Sequence, residues 1–174
     1  FSPEELRARL DAGRRIIEQS DAVVASERRY RQLVEGAGSI ILRLDTTGTI
    51  IFCNDYSLKA FGYERSELIG RSVIGTIVPP TDSAGRNLTE MMHGICSAPD
   101  DYANNENENM RKDGSRIWVS WTNRPVRGDD GRLKEVLCVG NDITRRRDAE
   151  RALIRSERMA AVGVLAGGVA HEFN

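Results

Sequence analysis

The 174-residue sequence is poor in the groups on which catalytic or metal chemistry is usually built, with two histidines, three cysteines and only 6% aromatic residues. Cys53, Cys96 and Cys138 are widely spaced, odd in number and without a C-x-x-C pair, which excludes a disulfide framework and a structural zinc site. A reducing, cytoplasmic setting is the expectation. Charge of one sign is lacking too: 25 Lys and Arg against 26 Asp and Glu leave a net charge of −1. Nothing in that balance attracts nucleic acid or an anionic membrane surface, so no nucleic-acid partner is expected. Long apolar runs are missing as well. Met159 to Ala170 is uncharged but falls short of the ~20 residues that span a bilayer. The chain opens on Phe1 and stops in an apolar helical stretch, so it reads as a piece of a longer protein, with any membrane anchor outside it. What is present, 40% hydrophobic and 29% charged residues, suits one domain with helical extensions.

The pattern along the chain changes period twice. Ser2-Pro3-Glu4-Glu5 reads as a helix start, with Ser2 as cap and Glu5 closing a capping box. Leu6, Leu10, Ile17, Val24 and Val34 then recur at heptad-compatible spacing, a seam for a parallel partner helix that Gly13, Ser20 and Glu27 weaken. From Ser39 the period becomes two: Ile40 to Leu44, the turn Asp45-Thr46-Thr47-Gly48 and Thr49 to Cys53 predict an antiparallel hairpin. Short helices are expected over Asp55 to Phe61, Ser66 to Ile69 and Val73 to Ile77, stopped by Val78-Pro79-Pro80. A fuller helix follows, whose Leu88, Met91, Met92 and Ile95 form a stripe that covers a sheet. Three strands come next, Tyr102 to Met110, Arg116 to Val126 and Leu133 to Asp142, joined at Lys112-Asp113-Gly114 and Gly128-Asp129-Asp130-Gly131. Ile117, Val119 and Trp121 share one strand face and Trp118, Ser120 and Thr122 the other, so an outward Trp118 needs cover from a helix or a partner chain. After Asp142 the helical period returns, with Ala149, Ala152, Leu153 and Ser156 as a small-residue seam that runs on towards Val162.

In the last dozen residues Val162, Leu165, Ala166, Val169 and Phe173 make an apolar stripe, and His171 sits about 180° from its mean. Such an exposed imidazole is a nucleophile once one nitrogen is bare, and Glu172 is placed to hold the tautomer through the other. The plain alternative is an ordinary surface His beside a surface Glu. Gly163, Gly167 and Gly168 follow no strand and precede no Lys, so they are no phosphate loop; each lowers helix stability by roughly 1 kcal/mol.

Several motifs carry a resemblance. Asn54-Asp55-Tyr56-Ser57 followed by Ala60-Phe61-Gly62-Tyr63, then Glu67-Leu68-Ile69-Gly70-Arg71, Arg111-Lys112-Asp113-Gly114-Ser115 and Asn141-Asp142-Ile143-Thr144, resembles the PAS domain family over about Ser26 to Thr144. The resemblance implies an α+β PAS fold: a five-stranded antiparallel sheet with short helices on one face, flanked by N- and C-terminal dimerisation helices. Residues 1–35 would be the N-terminal helical linker, 36–144 the PAS sensor domain and 145–174 the signalling helix. Ser156 to Gly163 and Leu165 to Asn174 resemble the first half of the phosphoacceptor helix of sensor histidine kinases. That implies His171 as the phosphorylated residue and Glu172 as the acid that orients it and accepts its proton. It further implies a homodimer, a response regulator receiver domain as partner, and ATP with Mg at an ATP-binding domain of the parent kinase. That domain lies beyond Asn174, so the chain alone is expected to be inactive.

Within the PAS-like part, Met91, Met92, Val119, Trp121 and Asn123 are the expected lining of a pocket for a small amphipathic ligand, against the competing expectation of a fully packed core. Haem is not expected, because His93 lies about 150° from the apolar stripe of its helix. Neither is a photosensing flavin, because Arg71-Ser72-Val73-Ile74 supplies no cysteine. Two other functions stay open: an interaction module with a different output, and a truncated H-E-x-x-H zinc helix beginning at His171-Glu172, which a His directly after Asn174 would complete.

Overall fold

Ile40, Leu42 and Leu44 alternate with more exposed residues along β1 (Ile40–Asp45), and this period of two puts three branched side chains on the core face. Asp45 folds the chain back: its Oδ1 accepts the N–H groups of Thr47 at 2.8 Å and Thr49 at 2.9 Å, and Gly48 takes the left-handed φ of 82° that the turn requires. β2 (Ile50–Cys53) completes the hairpin. The computed structural model describes residues 14, 25–29 and 32–172, except the side chains from 161 onward. The expected helix start at Ser2 and the seam residues Leu6, Leu10, Ile17 and Val24 lie outside the described residues. Residues 25–29 and 32–35 are helical, and the end of this segment is tied to the domain by Asn54, whose Nδ2 donates to the carbonyls of Val34 and Ser39 at 3.0 Å each.

Asn54 also caps α1 (Asp55–Phe61), accepting the Ser57 N–H at 3.0 Å, and Gly62 at φ 76° ends it. The four-residue α2 (Arg65–Leu68) starts in a capping box between Glu64 and Glu67. The expected helix over Val73 to Ile77 does not form. The Val73 carbonyl accepts the N–H of Ile77 at 3.1 Å and of Val78 at 2.9 Å, but Gly75 sits at φ 80°, so the segment closes as a turn instead of propagating. α3 (Leu88–Ser97) is capped by Asn87 and buries Leu88, Met92, Ile95 and Cys96, while Met91 lies only partly buried. β3 (Asn104–Met110), starting later than the expected Tyr102, is followed by β4 (Arg116–Arg127) and β5 (Leu133–Asp142).

The five strands stand in the order β2-β1-β5-β4-β3, every neighbouring pair antiparallel. One face packs on α1 to α3 around Phe61, Leu68, Ile77, Leu88 and Val119, all essentially inaccessible. This is the expected α+β layout. The chain then leaves the sheet as α4 (Thr144–Glu172), a single helix of 29 residues. Among the described residues no helix is long and apolar enough to cross a membrane.

Candidate functional site

Strand β3 reads Asn-Asn-Glu-Asn-Glu-Asn-Met, and its pleat turns Asn105, Asn107 and Asn109 to the helix-covered face. There they form a ladder with β4. Asn123 Nδ2 donates to Asn105 Oδ1 at 2.7 Å, Asn105 Nδ2 to Asn107 Oδ1 at 3.0 Å, and Asn107 Nδ2 to Asn109 Oδ1 at 3.3 Å. Two further bonds anchor the end of the row, where Asn109 accepts Trp121 Nε1–H at 3.1 Å and donates to the Ile77 carbonyl at 3.0 Å. Among the described residues no buried side-chain nitrogen or oxygen lacks a partner. The row is therefore a fully hydrogen-bonded chain of amides on the helix-covered face of β3 and β4, as buried polar groups require.

A cavity of about 20 Å³ lies against this row. Leu42, Leu44, Val73, Val78, Met92 and Ile95 give it an apolar wall, and Asn105, Asn107 and Asn123 a polar one, with Trp121 and Cys138 completing it. No charged side chain borders it, and its volume suits about one water molecule. Of the residues expected to line a pocket, Met92, Trp121 and Asn123 do so. Val119 is on the same face but wholly enclosed by packing, and Met91 stands beside Asn105, its Sδ 3.8 Å from Nδ2. The sequence reading missed Asn105, Asn107 and Asn109. Their alternation within a strand was the available signal, and it was masked because a run of Asn and Glu looks like solvated surface. Burial pushes the thiol of Cys138 up to about 12 and that of Cys96 up to about 11, and it also raises Cys53, so all three are held as neutral thiols. His93 is exposed on α3.

On the opposite face of the sheet the chain passes into α4. Ile143 N–H donates to the Trp118 carbonyl at 2.8 Å, Thr144 Oγ1 accepts the Trp118 N–H at 2.9 Å, and Asp142 Oδ1 accepts the Thr144 N–H at 2.9 Å. Trp118 points outward as expected, and of the two covers foreseen the helix is present: the Arg147 guanidinium lies 3.6 Å from the ring centroid. Glu106 of β3 pairs with Arg146 at 3.2 Å and Arg147 at 3.1 Å. Past this joint Leu153, Ile154 and Met159 of α4 are 61%, 49% and 69% exposed. His171 and Glu172 fall at the far end of the helix, about 40 Å along its axis from Thr144, with their side chains outside the described ones.

The model of the PAS domain family matches residues 37–145. The chain belongs to the PAS domain family. It is similar to the two-component sensor PprA of Pseudomonas aeruginosa, 28% identical over 152 residues that make up 86% of this chain and 16% of that protein. It is also similar to the sensor histidine kinase TmoS of Ectopseudomonas mendocina, 26% identical over 180 residues, 97% of this chain and 18% of that one. The chain thus spans less than a fifth of the length of either relative. Among solved structures, the PAS domain of a protein from Colwellia psychrerythraea superposes with a TM-score of 0.57 at 22% identity, covering 70% of this chain and 98% of that one, and so shares the fold. In PAS terms, the asparagine row is the inner wall of the domain and the Trp118 joint is where its sheet hands over to the following helix.

Proposed function

We propose that this chain is the sensory and coupling region of a cytoplasmic two-component sensor histidine kinase, in which the PAS domain sets the reactivity of His171 through α4. The observation that carries the reading is the helix itself: it starts hydrogen-bonded to the PAS sheet at Trp118 and runs unbroken to Glu172. Similarity to TmoS over 97% of the chain necessarily extends beyond residues 37–145 into this helix, which supports the same reading.

In this function Glu172 holds one imidazole nitrogen of His171 protonated and hydrogen-bonded, leaving the other bare. The bare nitrogen attacks the γ-phosphorus of ATP, the P–O bond to ADP breaks, and the carboxylate takes up the proton that the imidazolium sheds. ATP and Mg are brought by a domain outside this chain, and the phosphoryl group passes next to an aspartate of a response regulator receiver domain. The exposed Leu153, Ile154 and Met159 would be buried against a second copy of α4, making the active form a homodimer. The cavity would have to enlarge to admit a ligand, and a neutral, amphipathic small molecule is the class that suits its wall of amides and aliphatic groups without charge.

The test is labelling of the intact kinase with ATP carrying radioactive γ-phosphate. Incorporation should be acid-labile, as a phosphoramidate is, and His171→Gln should abolish it; undiminished incorporation in that variant would overturn the assignment. The small, internally satisfied cavity favours a second reading, a PAS interaction module that acts through docking alone, for which no incorporation at all is the expected result.

A further inference from the structure

Two cations from separate elements approach the one indole of Trp118. Arg147 of α4 stacks at 3.6 Å from the ring centroid, and Arg86, which directly precedes the cap of α3, stands at 5.8 Å, near the outer limit of ~6 Å for attraction to a ring face. Each has its own carboxylate. Arg86 Nε is 2.5 Å from Asp82 Oδ2, and Arg147 is 3.1 Å from Glu106. The loop that bears Arg86 is fixed to the same outer surface, because Glu108, opposite Trp118 in the β3–β4 register, accepts the Ser83 N–H at 2.8 Å and the Ser83 hydroxyl at 2.6 Å. The helix this loop leads into supplies Met92 and Ile95 to the cavity wall. One ring is thus in reach both of the element that closes the interior and of the element that leaves the domain.

We propose that Trp118 is a positioning residue that couples the placement of α3 to the docking of the first turns of α4, with Arg86 and Arg147 competing for its ring. Two guanidinium groups drawn to one indole repel each other, so the approach of Arg86 loosens Arg147, and its withdrawal tightens the stack. Outward displacement of α3 by anything that enlarges the cavity shifts Arg86 with it. That shift is read at the base of α4 as a change in how firmly the helix is held. The consequence for His171 rests on the kinase reading above, whereas the coupling itself does not. Because linkage is reciprocal, removing either arginine should strengthen the contact of the other.

Amide hydrogen exchange on this 174-residue chain tests it without any phosphoryl transfer. Arg86→Gln removes the competing charge, so amides of residues 147–151 should exchange about twofold to fivefold more slowly. Arg147→Gln should likewise slow residues 82–90, and both effects should vanish in a Trp118→Leu background. Unchanged or faster exchange in α4 of Arg86→Gln, persistence of the effect without the indole, or a uniform change across β1 to β5 would each overturn the proposal. If exchange responds as stated while His171→Gln leaves phosphate incorporation intact, the joint stands and the kinase assignment falls.

Discussion

Asn109 carries more of the interior than any apolar side chain of its size would, because it is at once the acceptor for the Trp121 indole and a donor to the Ile77 carbonyl. Asn109→Ala leaves the Trp121 indole N–H unpaired in a fully buried site, while the Ile77 carbonyl keeps the Met110 N–H at 2.8 Å, which should cost about 1–3 kcal/mol in urea unfolding followed by tryptophan fluorescence. Exposed Asn104, one residue position of the same type and strand, should tolerate Ala within about 0.5 kcal/mol. The thiols give a second prediction at this scale. Unfolded Cys96 and Cys138 ionise near the ordinary 9.0, whereas the folded ones hold their protons to about 11 and about 12. Between those values the unfolded chain has lost protons that the folded chain keeps, so stability is full below pH 9 and falls as pH rises above it. Melting temperatures measured from pH 8 to pH 10.5 should decline, and the slope should be shallower in Cys138→Ala.

Among the elements, β4 and β5 depend on a close approach: Trp121 pairs with Gly140 in register, and a Cβ on Gly140 would fall 2.7 Å from the indole and 2.8 Å from Val119 Cγ1. Since Trp121 is held by Asn109, it cannot swing aside. Gly140→Ala should therefore destabilise by about 1–3 kcal/mol, measurable as a lowered urea midpoint with unchanged slope. This is also the scale at which the sequence was most and least readable. Hairpins were plain, because Asp45 to Gly48 and Lys112 to Gly114 combine turn residues with flanking alternation. The turn at Val73 to Ile77 was misread as helix, since its apolar spacing is helical and only the backbone reveals Gly75 in a left-handed conformation. The asparagine row was invisible for a different reason. Hydrophobic patterning finds cores built of hydrocarbon, whereas this wall is built of amides whose burial is made tolerable by hydrogen bonds along β3, to β4 and to the Ile77 carbonyl. The helical period after Asp142 was legible, yet what docks that helix to the sheet, Arg147 on Trp118, joins residues that no local pattern connects.

For the molecule as a whole, the decisive property is that Leu153, Ile154 and Met159 stand exposed on the described part of α4. On the homodimer proposed above, replacing Leu153 and Ile154 together with Glu should shift the chain towards monomer in sedimentation equilibrium, with circular dichroism of the PAS domain unchanged. A dimer that survives would place the contact in residues 1–35. On the proposed kinase function, the same pair should depress labelling of His171 in the full-length protein if the two copies must meet there.

The alternation of β3 sets what kinds of change this molecule tolerates. Asn105, Asn107 and Asn109 face inward while Glu106 and Glu108 serve the outer joint, so one strand holds two independent sets of residues on odd and even positions. Exchanges at 105, 107 or 123 would change the cavity wall without touching the carboxylates that hold Ser83, Arg146 and Arg147, whereas 109 is tied to Trp121 and admits little change. Inserting or deleting a single residue there would do the opposite, carrying two carboxylates into the core and the amides onto the surface in one step. Apart from 109, the strand admits exchange one residue at a time and is closed to any shift of frame.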